Sequence, residues 1–319
     1  MPVDRHRGPP KPPRQKNSYA QYLQIATLLS AQQLQTGSDD ELLFIIIHQT
    51  HELWFKLAIH ELDCAIKALM RDNADDGDCI LSYKRLDRVR EVQHLLIASW
   101  SVLTTLTPDE FYMFRETVGR DNASGFQSVQ YRKLEFKLGL KRPVVNFERM
   151  VAGQPKIKRV RVLDNAATGD EQADLARALR DPSIYDAVTW FMARRFAFSP
   201  SELARGSDYS RQYQKNRRVF EAWMNVYQDR RAHPELYQLG EKLVDLEDAF
   251  RKWRFVHLAT VARVIGSNSG TGGSSGLQYL KMMANQLIDS PMYPELWDVR
   301  TAMFSRGMRF DLAKAGYAA

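Results

Sequence analysis

This 319-residue sequence predicts an all-α fold, a helical bundle-like single domain. Three observations point there. Apolar residues recur at steps of three and four over long stretches. Ser, Thr and Asp, with Pro or Gly at the matching positions, punctuate those stretches as helix starts and stops. Only residues 141–167 lose the helical period, and no repeat of fixed length appears. The expected organisation is a basic Pro-rich arm over residues 1–17, then one helical domain over 18–319 with a small non-helical insert.

The arm comes first. Arg5, Arg7, Lys11, Arg14 and Lys16 stand against Asp4, so more than half of the chain's net charge of +7 lies here. With Pro2, Pro9, Pro10, Pro12 and Pro13 this stretch cannot bury enough surface to fold. The rest is nearly neutral, which argues against a nucleic-acid partner. A hydrophobic content of 44% and a charged content of 26% are those of an ordinary globular chain. The longest apolar run, Leu42 to Ile47, is far too short for a bilayer, and no apolar signal segment opens the chain. Cys64 and Cys79 read as free thiols of a reducing compartment. The expected location is the cytoplasm, with no membrane partner.

Ser18 to Gln35 reads as an amphipathic helix with Tyr19, Tyr22, Leu23, Ile25 and Ala26 near one face. Ser38-Asp39-Asp40-Glu41 has capping-box spacing and opens a second helix to about Arg71. Asp72 to Asp78 is a loop by composition, and a third helix runs to about Leu106. Thr107-Pro108 starts a short helix that Gly119 closes; Gly125 to Gly139 is another helical piece. In the insert, Lys156 to Leu163 alternates like a strand, which predicts a surface hairpin or irregular loop. Helices resume at about 168–180, 183–196, 209–231, 234–266, 276–288 and 294–306.

Two histidines on apolar faces carry the chemistry. His257 shares a stripe with Leu246, Phe250, Trp253, Val261 and Val264. It is either a core histidine bonded to a carbonyl or a ligand of a metal or haem iron. A single rigid imidazole suits haem, because the porphyrin supplies the other four nitrogens. His48 lies on a stripe with Phe44, His51 and Phe55. His48 and His51 have chelating spacing, yet no Cys or carboxylate pair completes a set. Glu91 and His94 form half of a di-iron pattern whose second copy is missing. His51, His60 and His94 are otherwise expected as packing residues. Gly270-Thr271-Gly272-Gly273-Ser274-Ser275-Gly276 fails the dinucleotide fingerprint, since Ser275 stands at the third glycine and a helix precedes it. It reads as a linker or as a mobile lid with hydroxyls for a ligand. Arg115, among Phe111, Tyr112, Met113 and Phe114, is either a surface ion-pair partner or a fork for a carboxylate.

Four segments in this order resemble the tryptophan 2,3-dioxygenase family: Leu43 to Lys56, Ser124 to Arg132, Trp253 to His257, and Gly270 to Gly276. The likeness spans about residues 18–306. It implies a haem b cofactor with His257 as axial ligand of the iron, and His48 as the distal histidine beside the indole N–H. It implies that Arg115 holds the substrate carboxylate, with Phe111, Ser124 and Gly125 nearby, and that Phe44 flanks the indole. Thr271 with a haem propionate would hold the ammonium group. Tyr19, Tyr22 and Leu23 would reach a neighbouring subunit's site in a homotetramer. The implied reaction inserts both atoms of O2 across the indole C2–C3 bond of L-tryptophan to give N-formylkynurenine. Phe111 and His51 stand where relatives often carry Tyr, and Ser or Tyr, respectively. The insert and arm also exceed the family's usual length. These departures keep open an alternative: a biosynthetic paralogue that oxygenates a substituted, for example β-methyl, tryptophan, as a monooxygenase.

Overall fold

The computed structural model describes residues 18–120, 125–142, 144–151, 154–199, 215–266, 276–305 and 311–317. The arm expected over residues 1–17 lies outside them.

Three long helices form the frame: α3 (Glu41–Leu69), α4 (Asp76–Leu103) and α10 (Pro234–Ile265). Their sequences bury one stripe each: Leu62, Ala65 and Leu69 on α3, Leu86, Val89 and Trp100 on α4, Leu239, Leu246 and Phe250 on α10. Burying each large side chain contributes about 1.5–3 kcal/mol, so the shared core holds the three helices together. Helix α4 packs along both α3 and α10 and thereby fixes the distance between them. By length and composition α3 could cross a membrane, but here it packs against α4, α6 (Val129–Leu138) and α8 (Ile184–Arg195), burying Glu41 and Glu61 with its apolar stripe.

Shorter helices close the sides. Helix α5 (Pro108–Arg120) lies against α10, as does α11 (Leu277–Asp289). Helix α7 (Gly169–Arg180) covers α6, and α12 (Pro294–Phe304) packs on α9 (Arg217–Gln228). Gly240 leaves room for two α9 side chains: a Cβ there would meet Trp223 Cζ3 at 3.0 Å and the Tyr227 hydroxyl at 3.1 Å. Behind α10 sits a buried ion cluster. Arg132 of α6 bonds Glu135 at 2.7 Å and the Tyr279 hydroxyl at 3.1 Å. Arg254 of α10 bonds the other oxygen of Glu135 and the Met283 carbonyl.

The insert is a hairpin. Strand β1 (Val144–Val151) pairs antiparallel with β2 (Gln154–Arg161), Val144 opposite Arg161 and Val151 opposite Gln154. Its alternating stretch enters β2 as expected, but Val162 and Leu163 leave the strand for a 3₁₀ turn because Val162 is buried with Leu175 and Leu179 of α7.

Four expectations need correction. The single helix over Ser18–Gln35 is two short ones, α1 (Tyr19–Leu23) and α2 (Ile25–Leu29), broken at Gln24 with φ +53°. Neither buries a residue, so no packing holds the chain helical across that point. Glu41 does not close a capping box onto Ser38. Its carboxylate instead accepts from the backbone of Gln35 and Thr36 and from the Thr36 hydroxyl. Asp76 to Asp78 belong to α4, because Asp75 caps it in a reciprocal box with Asp78. Finally, α9 starts at Arg217, where Asn216 caps it, rather than at 209; residues 200–214 lie outside the described set.

Candidate functional site

The C-terminal half of α10 and the N-terminal half of α3 open onto one cleft, with α4 as its floor and α5 at its side. Phe44 and His48 reach it from α3, Trp100 and Leu103 from α4, Phe111 and Arg115 from α5, and His257, Val261 and Val264 from α10. Each pair follows helical spacing, four residues apart on α3 and α5, so one helix face delivers each. Thus two histidines more than two hundred residues apart share one compartment.

The proton positions follow from hydrogen-bond partners. His48 Nδ1 lies 2.7 Å from the Phe44 carbonyl, which can only accept, so Nδ1 carries the proton. Its Nε2 is a bare acceptor with no partner among the described residues. Burial lowers the His48 pKa, partly offset by that bond to Phe44, so the ring is neutral near pH 7. His257 is also neutral: burial, then the neighbouring His48, His51 and Arg254, push its pKa down to about 3. Neither of its ring nitrogens makes a hydrogen bond among the described residues, although three aromatic or apolar elements surround it. The Trp100 indole lies flat on it, centroids 4.6 Å apart and planes at 10°, and Trp253 packs at 5.3 Å. The indole N–H groups of Trp100 and Trp253 are buried without a partner. An unbonded imidazole in an apolar cleft is costly unless something binds it.

Across the cleft the Phe44 ring packs 4.2 Å from His48 and 5.8 Å from Phe111. The Arg115 guanidinium lies 5.9 Å from the Phe111 ring. The charge therefore stands at the end of an aromatic wall, placed for an anionic group on a flat ligand. One turn beyond His48, Glu52 accepts from the Ser128 hydroxyl at 2.6 Å, and its backbone carbonyl from the Gln130 amide. That clamp ties the turn at Gly125–Gln127 and the start of α6 to α3. Burial raises the Glu52 pKa against the lowering effect of Ser128.

Phe44, His48, Phe111, Arg115 and His257 are thus brought together, along with Val261 and Val264 of the His257 stripe. The other stripe turns as it runs: His51 and Phe55 point into the core rather than the cleft. His60 and His94, expected to pack, are exposed instead; His60 lies 3.7 Å from Cys64, and His94 lies 3.7 Å from Glu91. Gly125 is exposed on its turn, and Ser124 and Thr271 lie outside the described residues. Tyr19, Tyr22 and Leu23 are exposed by 76%, 76% and 42% and do not line the cleft of their own chain. Sequence reasoning missed Trp100; its stripe with Leu96 and Leu103 on α4 is the signal, but it reads as ordinary core.

Among the described residues no three His, Cys, Asp or Glu side chains converge, so a bare ion would find no ligand set there. The residues fit haem instead: a single unbonded neutral imidazole is all that a macrocycle-held iron asks of the protein on one side. The apolar walls suit a porphyrin, and the orphaned indole N–H groups are donors of the kind that a propionate or water would satisfy.

A family model described as tryptophan 2,3-dioxygenase matches residues 9–303. The chain is 42% identical over 294 residues to the tryptophan 2,3-dioxygenase of Geobacillus thermodenitrificans, covering 91% of this chain and 94% of that one. It is 43% identical over 287 residues to that of Paraburkholderia phytofirmans, covering 90% and 84%. A Bacillus thuringiensis relative of the same name is 40% identical over 291 residues, covering 91% and 94%.

Proposed function

The chain belongs to the tryptophan 2,3-dioxygenase family, and from that premise we propose that it cleaves the indole C2–C3 bond of L-tryptophan with both atoms of O2, giving N-formylkynurenine. One observation carries the reading: His48 and His257, both neutral, line a single apolar cleft with Arg115 at its side. His257 would hold the iron of haem b. When bound, haem supplies the redox chemistry that activates O2.

The chain's own groups bind and orient the substrate. His48 keeps its proton on Nδ1 and offers the Nε2 lone pair to the indole N–H. Held through Nδ1, it would position the ring and need not be an obligatory base. Phe44 flanks the indole, and Phe111 keeps water from that side. The Arg115 fork takes the carboxylate through charge-assisted bonds, fixing which edge of the ring faces the reaction. Ser124 and Gly125 would line the carboxylate end, and Thr271 the ammonium group. Tyr19, Tyr22 and Leu23 would complete the site of a neighbouring subunit in a homotetramer. Their exposure supports this, because bulky apolar side chains left uncovered mark a contact surface. The reading extends to a domain over residues 18–319 behind a basic arm, working in the cytoplasm. Two unpaired cysteines, Cys64 and Cys79, support that location. The names of the relatives favour tryptophan itself over the substituted-indole alternative.

The test is purification with haem, followed by turnover of tryptophan under labelled O2. A Soret band that His257→Ala abolishes, and a product with both oxygen atoms labelled, are expected. A protein that stays colourless when supplied with haem, or a singly labelled product, overturns the proposal.

A further inference from the structure

His51 sits one turn from His48 on α3 yet takes no part in the cleft. It is only 5% exposed. Its Nδ1 donates to the Ile47 carbonyl at 2.8 Å, which fixes the ring's rotation, and its Nε2 faces the Ser99 hydroxyl at 3.5 Å. The Ser99 hydroxyl is itself 2.8 Å from the Leu96 carbonyl, so that contact adds little hydrogen bonding. What the held ring does is pack: its centroid lies 4.7 Å from that of Trp100 and 6.3 Å from that of Trp253.

Those same two indoles are the ones that touch His257, whereas His51 and His257 make no ring contact with each other. His257 has no hydrogen bond to set its rotation about the Cβ–Cγ bond. In many metal-ligating histidines the second ring nitrogen is tied to a carboxylate or carbonyl that sets the orientation. Here the flat face of Trp100, parallel to the imidazole within 10°, is what defines the plane. Trp100 has no hydrogen bond either, since its Nε1 is unpartnered. Its orientation must come from packing, and His51 is its one neighbour locked to the backbone by a side-chain hydrogen bond among the rings that touch it.

We propose that His51 is a positioning residue for His257: anchored to Ile47, it holds the Trp100 indole, and the indole sets the plane of the imidazole. The inference rests on the reading of His257 as haem ligand only for its functional consequence. An imidazole turned about its own axis changes its overlap with the iron and hence the iron–imidazole bond, while the distal groups stay in place. His51 therefore acts from the core, not from the side where substrate lies.

Two readouts separate the inference from the haem assignment. In haem-free protein labelled at histidine Cε1, the His257 resonance, assigned by its loss in His257→Gln, carries the ring-current shift of the stacked indole. His51→Ala is expected to move it toward the free-histidine position, and His51→Phe, which keeps a ring against Trp100 but loses the bond to Ile47, to move it by less. His51→Leu, nearly volume-conserving, replaces the alanine variant if that one does not fold. In haem-loaded protein the same substitution is expected to shift the iron–imidazole stretching band and lower kcat several-fold with KM for tryptophan unchanged. A His257 resonance that stays put in His51→Ala or His51→Leu overturns the proposal, as does an equal shift in His51→Phe. Failure to take up haem with the resonance shift intact would instead sink the function proposed above and leave the positioning role standing.

Discussion

Arg254 and His257 lie three residues apart on α10, and both carry polar groups into the interior, but the protein treats them in opposite ways. Arg254, 4% exposed, faces Glu135, which Arg132 grips from the other side, and a third bond runs from Arg132 to Tyr279. Burial alone would raise the Glu135 pKa, but Arg132 and Arg254 overcome it and hold the carboxyl below its usual range. The Glu135 carboxylate in that cluster is gripped from both sides by the same chain, although the Nε–H groups of Arg132 and Arg254 stay without a partner. His257 faces a cleft in which no described residue meets its nitrogens, while two indole N–H groups nearby are also unmet. Opposite charges paired within the chain hold helices together, whereas the His257 nitrogens face a cleft.

The sharpest way to break this comparison is to remove the centre of the ion cluster. Glu135→Leu leaves two buried guanidinium groups, on Arg132 and Arg254, without their anion. Breaking a buried pair on one side typically costs about 3–5 kcal/mol, so a large fall in the urea midpoint is expected. A midpoint within error of wild type would mean that water reaches the cluster and that its burial is not what makes it structural.

Acid separates the two regions next. His51 and His257 titrate near 6.5 when unfolded, but folding lowers them to about 4 and about 3, and His48 is lowered too. Below pH 6.5 the unfolded chain therefore binds more protons than the folded one. The stability from these neutral rings is present above that pH and is lost as the pH falls. For His51 the loss approaches ~3 kcal/mol by pH 4, because each tenfold change in proton affinity corresponds to about 1.4 kcal/mol. Glu135 works over a different window: its depressed pKa gives stability above the ordinary value of 4.5 that is lost only below it. Between pH 6.5 and 4.5 the decline should belong to the histidines, and His51→Phe should flatten it in haem-free protein. A slope unchanged by that substitution would place the titrating groups elsewhere.

The buried ion cluster was invisible in the sequence, and the cleft was partly legible. Arg132, Glu135, Arg254 and Tyr279 come from three helices, and nothing in local spacing says that they meet. The frame itself was readable because α3, α4 and α10 are long and each repeats its apolar stripe many times. The same logic failed over Ser18–Gln35, where the amphipathic face is not buried by any described residue and the helix breaks at Gln24. In the cleft, His257 with Val261 and Val264 followed from the stripe. The split between His48 and His51 did not: a helix turns 300° in three residues, so His48 lines the cleft while His51 packs on the Trp100 ring in the core. The resemblance supplied the roles that spacing could not, above all the pairing of His48 with Arg115.

The smallest expected change in stability tests the cleft most directly. His257→Leu in haem-free protein removes an imidazole whose nitrogens have no partner and puts an aliphatic group of similar bulk in its place. Losing the stack on Trp100 costs about 0.5–1.5 kcal/mol. Relieving an unpaired, desolvated polar group returns about 1–3 kcal/mol, less the share that the open cleft still hydrates. The two nearly cancel, so a urea midpoint equal to or slightly above wild type is expected, together with complete loss of haem uptake. Glu135→Leu and His257→Leu are both polar-to-leucine changes in the interior, yet the first should unfold the chain readily and the second should only disarm it. If His257→Leu destabilised the haem-free protein as much as Glu135→Leu, the imidazole would have to be a structural member of the core, and the unmet nitrogens would lose their meaning as the mark of a binding site.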